Sequence, residues 1–174
     1  MTGISAAMDD LVDAVVEDDR WTATDLEALA AQACAAALRE CGYDPAGFEI
    51  GLLACDDGRI AALNADFRDR ARPTNVLSWP AQHLVADAPG AVPPGPAADP
   101  FDARTHLGDI AIAYDTVARE AAAQGKAVAD HCRHLLVHGT LHLLGYDHIS
   151  EKDALLMEGV ERRALATLGV ADPY

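Results

Sequence analysis

Three histidines in the run His138-Gly139-Thr140-Leu141-His142-Leu143-Leu144-Gly145-Tyr146-Asp147-His148 have the spacing that a single metal ion needs. His138 and His142 are one helical turn apart, so their rings leave the same face of a helix and converge. Gly145 is the usual left-handed helix stop, after which the chain folds back and presents His148. Three neutral imidazoles leave a fourth position open for water. That is the pattern of catalytic zinc, whereas structural zinc is closed by four protein ligands that commonly include cysteine. The expectation is one Zn2+ per chain on His138, His142 and His148, with His142 also in a catalytic role. Zinc brings the pKa of a water down toward about 7, which makes a nucleophile at neutral pH. Three imidazoles also accept nickel or copper, so the residues leave the native ion open.

The neighbouring residues narrow the chemistry. Gly139 stands where a zinc peptidase with the His-Glu-x-x-His motif carries its general-base glutamate, so the usual peptidase mechanism lacks its proton acceptor. His134 lies one turn before His138 on the same face and reads as a group behind the ligands, a proton carrier or a packed histidine. Asp147 either orients an imidazole through its second nitrogen or is a turn residue.

These side chains must be positioned by a fold whose elements the sequence outlines. Val12 to Glu17 is a short apolar segment that reads as a strand. Thr24-Asp25-Leu26-Glu27 has the form of a capping box, opening a helix with an apolar face of Leu26, Leu29, Ala30, Ala33, Ala37 and Leu38 that stops at Gly42 and Pro45. Phe48 to Cys55 reads as a buried strand, and Asp56 as the cap of a helix with Ile60, Leu63 and Phe67 at helical spacing. Val76 to Trp79 is a short strand closed by Pro80. Residues 81–105 are rich in proline, glycine and alanine and read as a surface loop, an insertion or flap between strands. Leu107 to Tyr114 alternates as a strand. Asp115 is the expected cap of a helix ending at Gly125, and Asp130 the expected start of the histidine helix. A last helix begins near Ser150, buries Leu155, Leu156, Val160 and Leu165, and closes at Gly169. The order predicts an α+β fold, a small mixed β-sheet packed against helices, with the three-histidine zinc site on a helix and the turn after it.

The chain has 174 residues, 51% of them hydrophobic, which suits one domain over 1–174 with the loop insertion at about 81–105. A formal net charge of −15 excludes a globally basic nucleic-acid footprint but leaves room for a local basic pocket. Cysteines 34, 41, 55 and 132 form no Cys-x-x-Cys pair and lie in apolar surroundings, as reduced core thiols do. Asp9, Asp10 and Asp13 occupy the region where a signal peptide would be basic and then apolar, and no uncharged apolar stretch reaches membrane-spanning length. The expectation is a soluble cytoplasmic protein without a membrane partner.

Several ordered blocks together carry a family resemblance. The histidine segment resembles the signature of the YbeY family of bacterial endoribonucleases. Leu63-Asn64, Phe67-Arg68 and Arg72-Pro73-Thr74-Asn75-Val76-Leu77-Ser78-Trp79-Pro80 resemble that family's second block, and Leu107-Gly108-Asp109-Ile110 its third. Phe67 and Trp79 stand where the family more often has Tyr and Phe, which are mild aromatic exchanges. The resemblance implies zinc on His138, His142 and His148, and Arg68 as the catalytic arginine beside the metal, clamping a phosphodiester through paired hydrogen bonds. Thr74, Asn75 and Ser78 are candidates to line the pocket or touch substrate; short polar residues before a strand also serve as turn and cap chemistry. The implied function is a zinc-dependent, single-strand-specific endoribonuclease in 16S rRNA 3′-end maturation, rRNA processing and ribosome quality control. Its partners would be single-stranded RNA, a 16S rRNA precursor, and small-subunit proteins or assembly factors that recruit an acidic enzyme. The attacking group is either zinc hydroxide or a 2′-hydroxyl. Rival readings are a zinc hydrolase of another bond, which Gly139 disfavours, and a ribosome-assembly binding protein with a structural metal.

Overall fold

The computed structural model describes residues 10–174, with the backbone alone for Phe67 and Arg68. The alternation in β1 (Val12–Val16) turns Val12, Ala14 and Val16 toward the core and leaves Asp13 and Val15 outward. A 3₁₀ turn over Asp19–Thr24 then buries Trp21, whose indole N–H donates to the Cys55 carbonyl at 3.1 Å. The expected capping box is absent. Asp25 is the N-cap of α1 (Leu26–Glu40), in a left-handed conformation and with no side-chain cap bond. The Thr24 hydroxyl is engaged by the preceding turn, where it donates to the Trp21 carbonyl at 2.7 Å.

Nearly the whole circumference of α1 is buried, with Ala30, Ala33, Ala35 and Ala37 fully inside. Alanines keep the helix narrow enough to lie between the sheet and two further helices, α4 (Val128–Leu143) and α5 (Glu151–Thr167). Before these come β2 (Phe48–Cys55), α2 (Asp57–Arg68), β3 (Val76–Pro80), β4 (Thr105–Ala113) and α3 (Tyr114–Ala123). The Asp56 carboxylate caps α2 as expected, accepting from Arg59 N–H at 2.8 Å.

The four-stranded sheet runs β1-β2-β4-β3. The β1–β2 and β2–β4 pairs are parallel and β3 is antiparallel to β4, so the sheet is mixed and the fold is α+β. The parallel β1–β2 pair needs a long crossover, which α1 supplies. One face of the sheet carries the main core with α1, α4 and α5, and a smaller cluster of Cys55, Ile60, Leu77, Ala111 and Ala113 lies under α2.

Three further expectations are corrected. Asp115 does not cap α3, whose N-cap is Ala113; its carboxylate accepts from Asp57 N–H at 3.2 Å and from Arg20 at 2.7 Å, tying α2 and the 3₁₀ turn to α3. Asp130 lies within the first turn of α4, paired with Arg133 at 2.9 Å, and the helix starts after Ala127. Leu155 is 61% exposed. The buried stripe of α5 is Met157, Val160, Glu161, Ala164 and Leu165, and Leu155 falls off that helical face. The N-cap of α5 is Ser150, as its position suggests.

Residues 81–104 have no regular element but are fastened at several points. The Gln82 side chain exchanges two hydrogen bonds with the backbone of Ala97, and Gly90 N–H donates to Asp153 at 2.8 Å. All four cysteines are free, and burial pushes the Cys34 thiol up to about 11 and those of Cys55 and Cys132 to about 12. They are inert packing groups. No helix among the described residues is long and apolar enough to cross a membrane.

Candidate metal centre

The site stands at the C-terminal end of α4, and small residues let that helix lie against the sheet. A β-carbon on Gly139 would come within 3.1 Å of Ile110 and 3.2 Å of the Ser78 hydroxyl, so position 139 faces β3 and β4 at close range. The Ser78 hydroxyl donates to the Gly139 carbonyl at 3.3 Å. A peptidase-type glutamate at 139 would therefore point into the sheet and away from the histidines.

The turn after α4 is built as the sequence suggests. Gly145 takes φ +94, and Tyr146 N–H returns to the Leu141 carbonyl at 3.0 Å, closing the helix with a left-handed glycine. This turn brings His148 back over the last helical turn. The His138 and His142 ring centroids lie 4.5 Å apart, and His148 is 5.4 Å from the first and 5.2 Å from the second. One ligand nitrogen from each of the three falls within 4.8 Å of the others. With Asn75, Val76, Ser78 and Pro80 they line an open cleft of about 370 Å³.

The hydrogen bonds around the rings define which nitrogens carry protons. His142 Nδ1 lies 2.9 Å from the Tyr146 carbonyl, which only accepts, so Nδ1 bears the hydrogen. His138 Nδ1 lies 2.6 Å from the Glu161 carboxylate, which also accepts. The Nε2 atoms of the two rings therefore face each other, across 3.0 Å. With His148 they bring three ring nitrogens together, and the C-terminal end of a helix adds negative potential that favours a cation. The donor set fits a divalent metal that takes imidazole nitrogen. Burial, and then the charges of His138 and His148, push the His142 pKa down to about 4, which keeps this ligand unprotonated at neutral pH.

Glu161 is the member of the site that sequence reasoning missed. It is 0% exposed and accepts from His134 Nε2 at 3.1 Å, from His138 Nδ1, and from the Tyr174 hydroxyl. Burial raises its pKa, but the hydrogen bonds from His134, His138 and Tyr174 outweigh that and bring it to about 2. The signal lay in the α5 stripe, where a glutamate shares a face with Met157, Ala164 and Leu165; a charge on a buried face needs a partner. His134 stands behind the ligands, against Glu161. Asp147 accepts from Ile149 N–H at 3.3 Å in the turn, while the Nδ1 partners of His138 and His142 are Glu161 and the Tyr146 carbonyl. The Asn75 amide is engaged by Glu120 and by Val76 N–H, at the edge of the cleft. Arg68 closes α2, and its side chain lies outside the described residues.

The α+β domain presents three converging imidazoles at a helix end, a group that could hold a metal ion. The profile of the family described as "Endoribonuclease YbeY" matches residues 13–169, and the chain belongs to that family. An "Endoribonuclease YbeY" from Ruegeria pomeroyi is 57% identical over 163 residues, covering 94% of this chain and 97% of that protein. One from Cereibacter sphaeroides is 53% identical over 167 residues, covering 96% and 100%, and one from Azorhizobium caulinodans is 45% identical over 165, covering 94% and 95%. The solution structure of TM1509 from Thermotoga maritima superposes with a TM-score of 0.52 at 19% identity, covering 91% of this chain and 92% of that one, a likeness of fold.

Proposed function

We propose that this protein is a zinc-dependent, single-strand-specific endoribonuclease of the cytoplasm, acting in 16S rRNA 3′-end maturation, rRNA processing and ribosome quality control. The observation that supports the metal dependence is the convergence of three imidazoles within 4.8 Å, with the Nδ1 atoms of His138 and His142 held by acceptors. The RNA substrate follows from the shared name of the full-length relatives.

His138, His142 and His148 would hold one zinc ion. When bound, zinc supplies Lewis acidity toward a phosphoryl oxygen and lowers the pKa of water. The chain's own residues bind and orient. Glu161 and the Tyr146 carbonyl fix the two helical imidazoles in the Nδ1–H form, so no rotation is needed to present Nε2. Ser78 and Asn75 form the polar wall beside the ligands. Arg68 takes the role of phosphate clamp, its guanidinium donating two hydrogen bonds to the scissile phosphodiester and offsetting charge in the transition state. Attack breaks the phosphorus–oxygen bond, and we favour water over the neighbouring 2′-hydroxyl as the attacking group. With a net charge of −15, the protein gains RNA through small-subunit proteins or assembly factors that bring the substrate.

The test combines zinc content with cleavage of a single-stranded RNA for wild type, His142→Ala and Arg68→Ala. About one zinc per chain is expected in wild type and Arg68→Ala, with cleavage lost in both variants. Cleavage that persists in both variants would overturn the assignment. The product ends separate the two attacking groups, since only the 2′-hydroxyl route passes through a 2′,3′-cyclic phosphate.

A further inference from the structure

Behind the histidines, on the side away from the cleft wall of β3, lies a second cavity of about 320 Å³. It is lined by His138, His148, Met157, Glu158, Glu161 and Tyr174, with Ala154. His138 and His148 line both the cleft and this cavity, while Glu161 and Tyr174 belong to the second alone. Tyr174 belongs to the segment after α5, far along the chain from α4. Three contacts seat it: its hydroxyl donates to Glu161 Oε2, its ring meets His134 edge-on at 5.7 Å between centroids, and the Arg162 guanidinium lies over its ring at 5.3 Å. Arg162 also binds Asp172 at 3.0 Å, and Asp172 accepts from Tyr174 N–H at 2.9 Å, so the segment is fixed just before its aromatic residue.

The carboxylate of Glu161 divides its two oxygens. Oε1 takes the Nδ1–H of the ligand His138, and Oε2 takes His134 and Tyr174. An anion with no exposed surface keeps its charge and its rotamer only while its lone pairs are matched by donors. If the donors on Oε2 are removed, the carboxylate is free to turn, and His138 loses the acceptor that fixes its tautomer.

We propose that Tyr174 and Glu161 form a clasp that positions the metal ligand His138: the segment after α5 sets how tightly and how long the ion is held. The clasp rests on the metal-binding reading of the three histidines. Neither residue is a ligand, so both are positioning residues. The phenolic hydrogen bond is the part that acts, because the Tyr174 ring has its own packing with His134 and Arg162.

The test uses the full chain stripped of metal and titrated with Co2+ against a chromophoric chelator, following the visible Co2+ absorption and the release rate after excess chelator. The proteins are wild type, Tyr174→Phe, Glu161→Gln and His142→Ala. Tyr174→Phe keeps the ring, and thermal unfolding should leave it near wild type. Its Co2+ affinity is expected to fall roughly 3- to 10-fold with faster release, and that of Glu161→Gln roughly 10- to 100-fold, the range for partners of metal-bound histidines. Nitrogen-15 spectra of the metal-free protein add a readout: His138 is expected in the Nδ1–H form in wild type, with the other tautomer appearing in Glu161→Gln. If Tyr174→Phe binds and releases Co2+ as wild type does, the clasp is overturned while the metal site stands. If wild type and His142→Ala are alike in failing to bind Co2+, the metal-site reading fails and the clasp with it. Should Glu161→Gln not fold, Tyr174→Phe alone decides.

Discussion

Helix α4 carries two histidine–carboxylate networks of similar chemistry and different use. Near its start, His131 Nε2 meets Glu120 at 3.2 Å, and both Glu120 oxygens accept from the Asn75 amide at 2.9 and 3.0 Å. Near its end, His134 and His138 meet Glu161. In the first network every polar atom of Asn75 is consumed, since its side-chain oxygen accepts from Val76 N–H at 2.7 Å. That network joins β3, α3 and α4, and its carboxylate keeps 30% of its side-chain surface in water. In the second, the carboxylate has no exposed surface and one of its histidines turns its Nε2 toward another imidazole. His131 is buried and held at Nε2 alone, whereas His138 is held at Nδ1 and lines the open cleft. What separates the two is the open cleft, since the residue pair is the same.

The largest expected break in that comparison is His142→Ala. Losing one of three ligands should weaken zinc binding by at least about 100-fold and abolish cleavage while the far-ultraviolet circular dichroism stays native. An equal loss in a variant of the Glu120 network would erase the distinction. Glu120→Ala should instead cost about 1–3 kcal/mol by leaving the Asn75 amide and His131 without their acceptor, lowering Tm by roughly 2–4 °C per kcal/mol, with zinc content still near one per chain.

Acid sharpens the comparison further. Burial pushes the His131 pKa below 6.5 against the opposing pull of Glu120, and burial pushes that of His142 to about 4. Below pH 6.5 the unfolded chain therefore binds protons that the folded, metal-free chain refuses, so stability is full above that pH and is lost as pH falls toward 4. Thermal unfolding of the metal-free protein between pH 7 and pH 4.5 should record the decline, and a flat profile would mean that neither ring is held neutral. The smallest effect belongs to Asn75→Ala, about 1 kcal/mol in urea unfolding with unchanged metal affinity. A loss of metal there would place Asn75 in the second network after all.

The three-histidine cluster was legible in sequence because it is local: two histidines on one helical face and a glycine turn need no distant partner to be recognised. The strands were legible for the same reason, and Phe48 to Cys55 was bounded correctly. What escaped was set by tertiary contacts. Thr24 and Asp115 have the composition of caps, yet Thr24 is taken by the carbonyl of Trp21 in a local 3₁₀ turn, and Asp115 by Arg20 and Asp57, which the sequence does not place nearby. Glu161 is 23 residues from His138, and only the packing of α5 on α4 makes them a pair. The Gly139 substitution that argues against peptidase chemistry was visible as a missing glutamate; that the position faces the sheet was not.

Gly145 answers for more than a helix stop. A β-carbon there would fall 2.0 Å from the Leu84 carbonyl oxygen, so the turn that presents His148 and the proline-rich segment at 81–104 are pressed together at the one residue without a side chain. In hereditary terms this makes position 145 intolerant on two independent grounds, its left-handed backbone and its neighbour, so that a suppressor which relieves one leaves the other. The constraint from the proline-rich segment comes through its backbone, since the nearest atom to that β-carbon is the Leu84 carbonyl oxygen.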